Sequence, residues 1–282
     1  MVQLILFLGG ILLALAILRA VGGAEPIYRI PAYKPAWFVA LKRAPHVDGR
    51  RFAPGVSAVW TGQADFTLIG PEETYWTEFL VLSGGDPHRP PIDLTNIEDA
   101  YVARLRQQPP PRVAIGLLKA LIAGDVIGKI KGEPARDVEG RGYRSDVMPT
   151  RASIDHLLSR PADYAPTMVN FLFYRGRADY PDGRKSSGRS AYRRYGLVAL
   201  RTVYRTGGRL IFYGEVVEVL REAKAGPTTG RWNDVAAMRY PNPPAILTME
   251  QALEYRAALK HRAAGLERTV VIASTSEDPP RP

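Results

Sequence analysis

From Leu4 to Leu18 the chain reads LILFLGGILLALAIL, without a charged or strongly polar side chain. A helix that packs on a soluble core shows a polar face, and this segment shows none. Counted from Met1, the apolar run ends at Arg19, at the lower end of the roughly 17–25 residues that span a bilayer. The pattern predicts a single-pass transmembrane anchor within residues 1–23, with residues 4–18 as the membrane contact. A cleavable signal segment is the alternative, with Gly22-Gly23-Ala24 as its small-residue site. No Lys or Arg precedes the run, whereas Arg19, Arg29 and Lys34 follow it. The positive-inside bias then holds the main body in the cytoplasm. Under the signal reading the protein is exported to the periplasm.

Alternating apolar positions recur downstream in two related segments. SAVWTGQADFTLIG with YWTEFLVLS, and RLIFYGEVVEVL with DVAAMRY, each read as two strands joined by a turn. Gly55 and Gly62 stand 152 residues before Gly207 and Gly214, and Trp76 stands 156 residues before Trp232. The difference falls in the turn, where insertions are tolerated. The spacing predicts an internal repeat whose two copies pair within one chain, with a homodimer as the alternative.

The copies differ upstream of the hairpin. In the second, the strand Met168–Tyr174 precedes a helix from Ser190 to Thr206. In the first, the short stretch between Arg43 and Gly55 holds Pro45, Gly49 and Pro54, so a full helix does not fit. Helices are predicted over Asn96–Gln107 and Val113–Ala123, split by Pro109-Pro110-Pro111, and over Ile246–Arg268, with a final strand at Thr269–Ala273. Thr150 reads as the N-cap of a short helix ending near Ser159. The organisation is therefore an anchor or signal segment (1–23), a degenerate repeat (25–123), a linker (124–149), a complete domain (150–275) and a disordered tail (276–282).

The second half thus reads β-α-β-β-α-β, the split ferredoxin-like motif. Through MVNFLFYR (168–175), AYRRYG (191–196), GGRLIFYG (207–214), RWNDVAAMRYP (231–241) and EYRAALKHRAAGLERT (254–269) it resembles the uncharacterised DUF1330 family of the dimeric α+β barrel superfamily. The resemblance covers residues 167–274. It departs from the family pattern at Asn242-Pro243-Pro244. It implies an α+β fold: a ferredoxin-like domain preceded by a degenerate copy, each sheet packing face to face with a second. The family has no settled activity, and fold alone does not carry one.

Composition narrows the chemistry. With 46% hydrophobic and 23% charged residues the chain is globular, and the absence of cysteine excludes disulfides and thiolate sites. The net charge of +10 suits acidic partners. No nucleic-acid motif accompanies it, so no nucleic-acid partner is expected. Asn170 is a lone amide in an apolar strand; it serves either a ligand or a neighbouring backbone. His261, with Arg262 beside it, is a candidate base on the last long helix. Tyr192, Tyr213 and Trp232 complete the candidate site. Arg194, Arg201 and Arg205 share one helix face and form a basic rim. His46, His88 and His156 show no ligand spacing, so no metal site is expected. The glycine motifs of nucleotide cofactors are missing, so no cofactor is expected. Two functions follow. One is a binding module for a small acidic or polar-headed molecule, held at the membrane. The other is a cofactor-independent, monooxygenase-like enzyme with Asn170, Trp232 and His261 around one pocket.

Overall fold

The computed structural model describes residues 2–43, 50–71, 74–138 and 145–277. These residues form eight strands: β1 (Ala36–Arg43), β2 (Val56–Ile69), β3 (Glu78–Gly84), β4 (Ile97–Gln107), β5 (Pro166–Tyr174), β6 (Arg209–Arg221), β7 (Asp234–Arg239) and β8 (Leu266–Glu277). Six α-helices accompany them among the described residues: α1 (Val2–Gly22), α2 (Arg112–Ala123), α3 (Arg151–Leu158), α4 (Gly188–Arg205), α5 (Pro244–Thr248) and α6 (Leu253–Gly265).

The strands close into one antiparallel barrel in the order β1-β3-β2-β8-β5-β7-β6-β4. This overturns the expected ferredoxin-like α+β fold with its two face-to-face sheets and transmembrane helix. The physical reason lies at the strand edges. An open four-stranded sheet leaves two rows of backbone donors and acceptors unpaired. Here β2 pairs with β8 and β4 pairs with β6, so closure removes every edge. Arg104 and Arg106 on β4 reinforce one seam by pairing with Glu218 and Glu215 on β6.

The two hairpins share one register. Gly62 faces Phe79 and Gly214 faces Val235, and irregularities fall at Ala58/Trp60 and at Leu210/Phe212. Inward positions fill the barrel with rings. Phe38 lies 5.4–5.9 Å from Phe79, Phe171 and Phe212. An eight-stranded interior is just wide enough for side chains to occupy, so the barrel holds a packed core.

Residues 97–107 form a strand where a helix was predicted. Tyr101, Ala103 and Leu105 enter the barrel core, while Ala100 and Val102 join the outer cluster. This alternation, satisfied by β1 on one side and β6 on the other, prevails over a weak helical propensity. The helical stretch predicted over Ile246–Arg268 is divided instead into α5, a 3₁₀ turn and α6. Within residues 124–149, Val138, Val147 and Met148 are buried in the second-half core. Thr150 caps α3, its hydroxyl accepting from Ser153 N at 3.1 Å. Ser276 and Glu277 belong to β8, and the rest of the expected tail lies outside the described residues, as does His46.

Among the described residues no helix is long and apolar enough to cross a membrane. This overturns the single-pass anchor and the membrane localisation derived from it. The described end of α1 is committed to a protein contact. A Cβ at Gly116 would lie 1.8 Å from Leu18 O, and one at Gly22 would lie 1.8 Å from Arg112 O. The two helix backbones therefore touch through glycines. Lys119 of α2 donates to Val21 O at 3.3 Å and pairs with the buried Glu25 at 2.5 Å.

Candidate functional site

The outer wall of β5–β8 is roofed by α4 and α6, and the layer between them is rich in tyrosine. Tyr174, Tyr192, Tyr195 and Tyr255 form a ladder with ring spacings of 5.2, 5.4 and 5.9 Å. Several predicted site residues meet this layer. Asn170 faces it, but its amide donates to Met168 O at 2.8 Å and more weakly to Ala236 O at 3.4 Å. The side chain therefore serves the backbone of its own strand and of β7. Tyr192 is half-buried between Tyr174 and Tyr195. Arg262 is buried beneath the ladder, its guanidinium 5.9 Å from the Tyr195 ring.

The remaining candidates lie elsewhere. Trp232 enters the barrel core, donates to Thr228 O at 2.7 Å and is covered by Arg268 at 4.2 Å. It sits on the opposite face of the wall from Asn170, so one cavity cannot be lined by both. His261 faces outward against Tyr180, with 2.7 Å between its Nδ1 and the hydroxyl. Burial, then Lys260 and Arg194, hold its pKa below the usual imidazole value. Arg194 approaches Tyr180 and Ser186 at 3.5 Å. Arg201 and Arg205 both pair with Glu254, so one carboxylate offsets part of the positive charge of the expected rim.

Sequence reasoning missed Asp234. This fully buried carboxylate accepts from Tyr213 at 2.6 Å and Tyr174 at 2.7 Å, both at Oδ2. Arg189 Nη1 lies 3.1 Å from Oδ1, near enough for charge pairing but outside hydrogen-bond alignment. Arg189 also meets Glu215 at 3.2 Å. Burial raises the Asp234 pKa despite these donors. No signal in the sequence marks it, because its partners come from β5, β6 and α4.

A second feature was also missed. A cleft of about 860 Å³ opens between the end of α1, the segment Pro26–Ala36 and the turn joining β4 to α2. Arg19, Arg29, Lys34, Arg106 and Arg112 line it, and among the described residues no Asp or Glu does. Its apolar side comes from Ile27, Ile30, Leu105 and the prolines 109–111. Tyr28 braces the walls. Its hydroxyl donates to Pro110 O at 2.6 Å, and Arg112 stacks 5.0 Å from its ring while donating to Tyr28 O at 3.2 Å. Burial, and secondarily Glu25, push the Tyr28 hydroxyl up to about 12. Arg106 is held by Glu215, and among the described residues no carboxylate pairs with Arg19, Arg29 or Lys34. The positive residues following the apolar run are the available signal, although after such a run they point first to membrane topology.

Among the described residues no three His, Asp or Glu side chains are grouped to hold a metal ion. No family model matches the chain, and no curated protein does. The DUF1330 resemblance therefore rests on the quoted motifs alone. Two solved structures are similar over about half the chain. The methylated RPA0582 protein is 28% identical, with 48% of this chain and 97% of that one covered and a TM-score of 0.41. RPA0582 itself, a protein of unknown function from Rhodopseudomonas palustris, is 28% identical, with 48% and 98% covered and a TM-score of 0.39.

Proposed function

We propose that the protein is a binding module for a small acidic molecule with an apolar body, taken up in the cleft beside Tyr28. The supporting observation is the lining: five cationic side chains around an apolar wall, with no carboxylate among them. Ligand pockets are commonly about 300–1,000 Å³ and combine apolar walls with a few fixed polar groups. An anionic head gains from every cation on the rim, and its body displaces water from Ile30, Leu105 and the prolines.

The same lining favours binding over turnover. Among the described residues it contains no histidine, serine or carboxylate to act as base or nucleophile. Its tyrosine hydroxyl is spent on Pro110 O and stays protonated at neutral pH. General acid–base work needs a group whose pKa lies near the operating pH, and the cleft offers none.

Calorimetric titration of the full chain with decanoate, decanol and inorganic phosphate tests the reading. Decanoate is expected to bind, with decanol and phosphate each much weaker. Combining Arg29→Glu with Lys34→Glu, both at exposed positions, is expected to weaken decanoate by about tenfold or more, equivalent to about 1.4 kcal/mol per decade. Decanoate binding that survives both reversals unchanged would exclude the cleft.

A further inference from the structure

Among the described residues Arg262 is the arginine buried as a whole residue. Arg43 meets Glu78, Arg189 meets Asp234 and Glu215, and Arg205 meets Glu254. Arg262 is only 6% exposed. Its contacts are Met148 Sδ, 3.5 Å from Nη1, and the Tyr195 ring. Among the described residues no carboxylate pairs with it. A thioether is a weak acceptor, and a ring face offsets only part of the cost of removing a guanidinium from water.

The groups around it are donors. Tyr195 and Tyr255 hydroxyls lie 3.1 Å apart. One proton lies between the two oxygens, and the other is free to point elsewhere. The Tyr192 hydroxyl, whose ring contacts both Tyr174 and Tyr195, has no protein acceptor among the described residues. Burial keeps the Tyr192 and Tyr255 hydroxyls protonated. The nearby carboxylate, Asp234, is already occupied by Tyr174, Tyr213 and Arg189. The result, among the described residues, is a buried patch with positive charge and free O–H donors and without a negative charge of its own.

We propose that Arg262, with the Tyr192 hydroxyl and the Tyr195–Tyr255 pair, forms a receptor for a small carboxylate between α4 and α6. The planar guanidinium fork matches a carboxylate's two oxygens, which a spherical anion does not. The site is separate from the cleft beside Tyr28 and does not depend on it.

The test is thermal unfolding of the full chain in rising acetate, with chloride at matched ionic strength as control. A ligand that binds only the folded state raises the midpoint with its concentration. Acetate is expected to raise the wild-type midpoint and chloride is not. Arg262→Met is expected to abolish the acetate response and, without acetate, to be at least as stable as the wild type, since an unpaired buried charge is gone. Tyr192→Phe removes one donor at a half-buried position and is expected to weaken the response several-fold. Combined Arg29→Glu and Lys34→Glu leaves it intact. A wild type indifferent to acetate overturns the proposal whichever variants fold. An acetate response kept by Tyr192→Phe and Arg262→Met, or lost in the cleft variant, overturns it equally. An Arg262→Met protein destabilised to the same extent with and without acetate would make the arginine a packing element.

Discussion

Trp76 and Trp232 donate their indole protons to the same residue. Trp76 Nε1 reaches Thr228 Oγ1 at 2.8 Å, and Trp232 Nε1 reaches Thr228 O at 2.7 Å. The two tryptophans hold corresponding positions after the hairpin glycines of the two halves. Thr228 is fully buried, in the connection between β6 and β7. One threonine therefore ties the second-half connection to both halves of the barrel core.

Thr228→Val is expected to destabilise the protein by about 1–3 kcal/mol, because it strands the buried Trp76 N–H without an acceptor. Thr228→Ser keeps the oxygen and is expected to recover most of the loss. Denaturant unfolding of both variants measures this. Equal stability of the valine and serine variants would show that the bond contributes nothing.

Gly116→Ala is expected to separate α1 from α2. Its Cβ would sit 1.8 Å from a backbone oxygen of Leu18, and backbone cannot yield as a flexible side chain does. Limited proteolysis is expected to cut the described part of α1 faster in the variant. Unchanged protection would mean that the helices pack by other contacts.

Two carboxylates give opposite pH dependences. The Glu215 pKa is held below its ordinary 4.5, chiefly by Arg106. Its contribution is present above 4.5 and is lost as pH falls through the folded value. The Asp234 pKa is raised above 3.8 by burial. The folded state then binds the extra proton, so stability falls as pH rises from 3.8 through the folded value. Asp234→Asn is expected to remove that fall, and Glu215→Gln to remove the acid-side loss. Unfolding midpoints across pH would show the two slopes; a profile unaltered by Asp234→Asn would contradict the assignment.

Asn170→Leu is expected to destabilise by about 1–3 kcal/mol, because Met168 O loses a buried donor. Decanoate binding in the cleft is expected to be unchanged. A stable variant that binds nothing would return Asn170 to a ligand role.

Much of the local structure was legible because its cause is local. Runs of apolar residues mark β5, β6 and β7, and Thr150 caps α3 through its own side chain. Chemistry that depends on residue type alone was equally readable, above all the absence of cysteine. The tertiary structure decided whatever depends on a distant partner. Residues 97–107 are a strand because β1 and β6 complete their hydrogen bonds. The sheets close because β2 finds β8 and β4 finds β6. Arg201 and Arg205 share the single carboxylate of Glu254, while Arg29 and Lys34, legible in the chain only as positive residues after the apolar run, come to face Arg106 across a cleft. Periodicity records which face of an element is apolar. What that face meets, and which charges are left without a partner, is fixed only when remote segments are brought within a few ångströms.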